Sequence, residues 1–199
     1  MDHRDRPVGA TDQVNGSVNR PLANRLARLD YGRLFLSLDE TLADEIWGEP
    51  GAAEALRILV LDRDARLPAR FLAAELLARR DPTFPRPNVA PIVAEVLVGA
   101  LRARLPREAN PWYTPPSGPG ELGERLVGLG DVARTALVAA LGDDAPLAYG
   151  GSREATLAEP YGFRVKDVAA ALLAAIDGRP APASPDPRQR DAEIEAIGG

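Results

Sequence analysis

Arg164-Val-Lys-Asp-Val-Ala-Ala-Ala-Leu-Leu-Ala-Ala-Ile176 sets Val165, Val168, Ala169, Leu172, Leu173 and Ile176 on one stripe of a 3.6-residue helix. Upstream, Val132, Ala136, Leu137, Ala140 and Leu141 make a second stripe of the same period. An acidic residue stands near each start, Asp131 and Asp167, where the positive end of the helix dipole favours it. Gly142 and Gly178 follow the last periodic residues as stop signals. Helices this short need packing partners to hold in water, so the stretch 121–176 predicts helices stacked on one another.

A local pattern recurs. Arg134-Thr-Ala-Leu-Val-Ala-Ala-Leu141, Lys166-Asp-Val-Ala-Ala-Ala-Leu-Leu173 and Arg70-Phe-Leu-Ala-Ala-Glu-Leu-Leu77 share a basic residue followed by two apolar pairs at fixed offsets. Self-similarity of this kind marks stacked helix pairs. On these residues, and on the Val165-Lys166 pair at a helix start, about a third of the chain resembles HEAT-like repeat proteins. The resemblance implies an all-α fold, a short α-solenoid of stacked helix pairs whose outer wall grips another macromolecule. Here the pairs are separated by Pro-rich insertions at irregular spacing. An ordinary helical bundle fits the same pattern.

The composition agrees with helices. Hydrophobic residues make up 45% but aromatic ones only 5%, and sheets favour β-branched and aromatic side chains. Residues 1–19 read as a flexible lead-in and 20–178 as the helical domain, with possible halves 20–105 and 121–178 joined by the Pro-rich loop 106–120. Residues 179–199, rich in Pro and Ala, read as a disordered tail in which Asp191 to Ile197 can form a short unsupported helix. Helices are expected from Pro21, after Ser37 in a Ser-x-x-Glu40 capping box, from Pro50 with Ala52, Ala55, Leu56, Leu59 and Val60 as its stripe, from Pro68 to Arg80, and from Asn88 to Leu105.

Several function classes fall away. There is no cysteine, and the one histidine, His3, sits in the lead-in, so thiolate, histidine-based and Cys/His metal chemistry is not expected. No cofactor and no metal site is expected. A net charge of −5 argues against a nucleic-acid partner, including the damaged DNA that some HEAT-like folds bind. No apolar run reaches membrane-spanning length and the start lacks a secretory h-region, so a cytoplasmic protein without a membrane partner is expected. The acidic residues Asp39, Glu40, Asp44 and Glu45 read as a complement to a helix dipole.

One loop asks for a role. Residues 143–164 are long for a helix–helix connection, and Tyr149-Gly-Gly-Ser-Arg-Glu-Ala-Thr156 is the most distinctive string in the chain. Gly150 and Gly151 permit positive φ, and successive N–H groups there, with Ser152, can form an anion-binding concavity. Arg153, Arg164 and Lys166 can add charge. Two other readings stand beside it. The loop can cap the stack with Tyr149, Tyr161 and Phe163, or Glu154, Arg164, Lys166 and Asp167 can form a structural ion network. Trp112 and Tyr113, in a stiff polyproline-like segment, are a second candidate contact surface unless they fold back on the core. No catalytic residue is named, because a Gly-x-Ser-x-Gly elbow and a phosphate-loop signature are both absent. The expected function is a non-catalytic protein-interaction or scaffold module with another protein as partner. The alternatives are a small-anion or ligand sensor built on Tyr149–Thr156, or an enzyme of unidentified class working through carboxylates.

Overall fold

The computed structural model describes residues 20–37, 41–107, 109–115, 117–149, 156 and 158–198. The lead-in 1–19 and Glu40 of the expected capping box lie outside the described residues. Helix α1 spans residues 20–26, burying Leu22 and Leu26. A π-helical turn, Gly32–Leu36, follows and buries Leu34. Then come α2 (Thr41–Gly48), α3 (Ala52–Leu61), α4 (Leu67–Arg80) and α5 (Ala90–Arg102). Two-residue strands β1 (Tyr113–Thr114) and β2 (Gly118–Pro119) pair antiparallel, with Tyr113 opposite Pro119. Helices α6 (Glu121–Gly128), α7 (Asp131–Val138), α8 (Val165–Ile176) and α9 (Pro187–Gly198) complete the chain.

The described residues are mostly helical with one small sheet, and no helix among them is long and apolar enough to cross a membrane. Packing follows a row: α3 on α4, α4 on α5, α5 on α7, α7 on α8 and α8 on α9, with α6 set against α5 and α8. Helices α4 and α8 are covered on every side, since each residue from Phe71 to Leu77 and from Asp167 to Ala174 is buried. This explains their alanines. A helix enclosed all round has no polar face to keep, and small side chains let its neighbours approach. One apolar cluster runs from Leu22 to Leu173 and includes Trp112 and Tyr113.

Three expectations change. Residues 106–120 are no bare linker: the β1–β2 hairpin forms there, and the first amides of α6 donate from Leu122 and Gly123 to the Pro111 carbonyl. The long helix expected to reach Leu105 stops at Arg102. The short unsupported helix allowed at Asp191–Ile197 is longer and is held: α9 packs on α8 through buried Arg190 and Ile194. The tail's prolines stop a helix before Pro187 but not after it, since proline suits a helix's first turn.

Helices α5 and α8 end in the same way. In each, the third residue past the helix donates back to a carbonyl inside its last turn: Arg179 N–H to Ala174 O at 2.8 Å, and Leu105 N–H to Ala100 O at 2.9 Å. This closure requires one left-handed residue, ordinarily glycine. In α8 it is Gly178 with φ +64°; in α5 it is Arg104 with φ +57°.

Candidate functional site

The base of the 143–164 loop is zipped shut by its backbone. Leu147 N–H donates to Phe163 O at 3.0 Å, Val165 N–H to Ala145 O at 2.9 Å and Lys166 N–H to Asp143 O at 2.9 Å. The remainder, Gly150, Gly151, Ser152, Arg153 and Glu154, lies outside the described residues. Of the expected contact residues that are described, most point inward. Trp112 is 1% exposed and donates its indole N–H to Leu105 O at 2.6 Å; Tyr113 is buried and stacks on Phe163. They therefore cannot form the surface rim considered for them: an indole whose N–H is satisfied inside the core gains more from burial than from display. Tyr149 is half-buried and donates its hydroxyl to Tyr113 O at 3.2 Å.

Arg164 and Lys166 belong to an ion cluster centred on buried Asp167. Arg164 donates through Nε and Nη2 to Asp167, each at 2.8 Å, and Arg190 adds a third bond from Nε at 3.1 Å. Asp167 also accepts the Arg164 backbone N–H at 2.7 Å, capping α8. Lys166 bonds Asp144 at 2.7 Å and Asp191 at 3.0 Å, and Arg164 bonds Asp191 at 2.7 Å. Burial works to raise the Asp167 carboxyl, but the bonds from Arg164 and Arg190 prevail and hold it below the ordinary range. Hydrogen bonds from Arg164 and Lys166 bring Asp191 down to about 2. Hydrogen bonding to Asp167 lifts the Arg164 guanidinium, and hydrogen bonding to Asp144 lifts the Lys166 amine. Arg164, Lys166 and Arg190 each have a carboxylate acceptor in the cluster, which ties α9 and the loop base onto α8.

A second buried cluster was not legible as a site. Glu75, fully buried on α4, lies 2.8 Å from Arg125 Nε and 3.6 Å from Arg79 Nε. Neither Nε has a hydrogen-bond acceptor, and neither Glu75 carboxylate oxygen accepts an aligned hydrogen bond. Glu121 takes the other ends of both arginines, at 2.5 Å from Arg79 and 2.9 Å from Arg125. Arg79 also donates to Tyr31 Oη at 3.2 Å. Burial pushes the Glu75 carboxyl up to about 7 against the pull of Arg125 and Arg79, and burial with Glu75 alongside raises the Tyr31 hydroxyl. The signal was a lone glutamate inside an otherwise apolar run, Phe71-Leu-Ala-Ala-Glu-Leu-Leu77.

The two stretches singled out from sequence do meet. Ala103, Arg104, Pro106, Arg107, Ala109, Asn110 and Trp112, after α5, face Pro146, Leu147 and Ala148 across a cleft of about 330 Å³. Pro106, Trp112, Pro146 and Leu147 give it apolar walls, and Arg104, Arg107 and Asn110 give it polar ones. Among the described residues, no group of three or more His, Cys, Asp or Glu side chains converges to hold a metal ion. Comparison with protein-family models, curated proteins and solved structures finds no match to this chain.

Proposed function

We propose that the chain is a non-catalytic helical interaction module, a short HEAT-like stack of helix pairs that docks another protein on its outer wall. The observation that supports this reading is the outward face of α7. Asp131, Val132, Thr135, Val138 and Ala139 form one solvent-facing stripe, on which Val132 is 42% and Val138 44% exposed. This helix sits inside the row, between α5 and α8, so its bare face lies along the wall rather than at a fraying end. Small and branched apolar side chains on a rigid helix are cheap to desolvate, as a docking surface requires. The net charge of −5 favours a protein over a nucleic-acid backbone as the partner.

The test replaces both valines by arginine. Surface changes of this kind alter stability by only about 0.5 kcal/mol, so Val132→Arg with Val138→Arg keeps the fold while spoiling the face. Cross-linked partners are then recovered from cells expressing each form and compared by mass spectrometry. Loss of a partner that the wild type recovers supports the reading. An unchanged partner set removes α7 from it.

A further inference from the structure

We propose that the cleft between the described residues 103–107 and 109–112 on one side and 146–148 on the other binds a small organic anion with a flat apolar body, gripped by Arg104 and Arg107. The proposal does not depend on the α7 docking face.

The first observation is the backbone of Arg104. The helix-ending turn shared by α5 and α8 takes glycine at its left-handed position in α8 and arginine in α5. A side chain at positive φ costs stability that glycine would not. The helix dipole gives no sufficient reason for it, because Arg102 already places a cation in the last turn of α5. What the left-handed turn does achieve is to put Arg104 on the wall of the cleft.

The second observation is charge. Arg104 and Arg107 are exposed and make no ion pair or side-chain hydrogen bond among the described residues. The acidic residues at the near end of the opposing segment are already engaged: Asp143 with Arg102 at 3.2 Å, Asp144 with Lys166 at 2.7 Å and Arg164 at 3.3 Å. Among the described residues that line the cleft, the charged ones are Arg104 and Arg107; Glu108, next to Arg107 in sequence, lies outside the described residues. Buried Asn110 adds to this, since its Oδ1 accepts the Trp112 N–H at 3.2 Å while its amide nitrogen has no acceptor. A small turn of that amide would present a donor to the same anion.

The third observation is shape. Guanidinium forks match carboxylate and phosphate oxygens, while Pro106, Pro146 and Leu147 offer an apolar wall to the rest of the ligand. A cavity near 330 Å³ stands at the small end of the range for ligand sites. Aryl carboxylates and aryl phosphates have both the head group and the size.

The experiment titrates the full chain with benzoate, phenyl phosphate, inorganic phosphate and benzyl alcohol, reading melting temperature and amide chemical shifts. Saturable binding of benzoate or phenyl phosphate at millimolar concentration or tighter is expected, with shifts at residues 103–112 and 146–148. Benzyl alcohol and inorganic phosphate should bind at least tenfold more weakly. Arg104→Gly should raise the melting temperature of the unliganded protein, because glycine relieves the turn, and weaken anion binding at least tenfold. Arg107→Gln should weaken binding similarly without moving the melting temperature. Equal binding of the neutral alcohol, inorganic phosphate binding as tightly as phenyl phosphate, no saturable anion binding, or wild-type affinity in Arg104→Gly would each overturn the proposal.

Discussion

Replacing Glu75 by glutamine tests the buried charge cluster on α4. Burial raises this carboxyl from its ordinary 4.5 to about 7 in the folded chain. Between those values the folded protein keeps a proton that the unfolded chain has released, so stability falls as pH rises. The loss is small at pH 5 and complete by about pH 8, and between them it amounts to about 2.5 kcal/mol. Glutamine has the shape of the protonated acid and cannot ionise, so the variant should lack this slope. The other carboxyls with shifted values among the described residues, Asp81, Asp167, Asp177 and Asp191, are all displaced downward. They are ionised in both states above about pH 5 and cancel from the comparison, and His3 is common to both proteins. Urea unfolding followed by tryptophan fluorescence at pH 5, 6, 7 and 8 would measure it. Wild type should lose midpoint steadily across the series while Glu75→Gln stays level, the two curves diverging toward high pH. Parallel curves, or a wild type that gains stability with pH, would refute the reasoning that desolvation outweighs Arg125 and Arg79.

Two further perturbations separate packing from propensity and test the attachment of α9. A Cβ at Gly123 would lie 2.0 Å from Trp112 O and 3.1 Å from Leu172 Cδ2, so Gly123→Ala should cost about 2–3 kcal/mol despite the roughly 1 kcal/mol that alanine offers a helix. Gly128 lies in the same helix with nothing within 4 Å of an added Cβ, and Gly128→Ala should gain up to about 1 kcal/mol. Opposite signs in paired urea titrations are the expected result. Arg190→Ala removes a fully buried guanidinium that bonds Asp167 and the carbonyls of Ser184 and Pro185. It should cost about 3 kcal/mol and open residues 179–198 to limited proteolysis. Stability and cleavage rate both unchanged would contradict the pinning of α9.

What the sequence displayed was period; what it hid was partnership. The α8 stripe and the glycine stop at Gly178 are local properties, readable within one turn of the residues that carry them, and the helix Val165–Ile176 follows directly. The same holds for α3, whose Ala52, Leu56, Leu59 and Val60 face inward at helical spacing. Burial of a charge is different, because it depends on which distant helix arrives opposite. Glu75 meets Arg125 from α6, and Arg190 reaches back to Asp167 on α8. A composition-based reading therefore saw a proline-rich tail with at most a short unsupported helix, where a buried arginine fastens α9. The recurring basic residue makes the point most clearly. Arg70 donates to the Val60 carbonyl on α3, Arg134 pairs with Asp177 beyond α8, and Lys166 pairs with Asp144 and Asp191. One sequence pattern thus yields three unlike attachments, so the repetition reports the helices and not the work of the residue that begins each. Arg104 inverts the case. It breaks a local rule, arginine where the turn asks for glycine, and a broken local rule is the one kind of signal by which a chain can mark a site without repeating it.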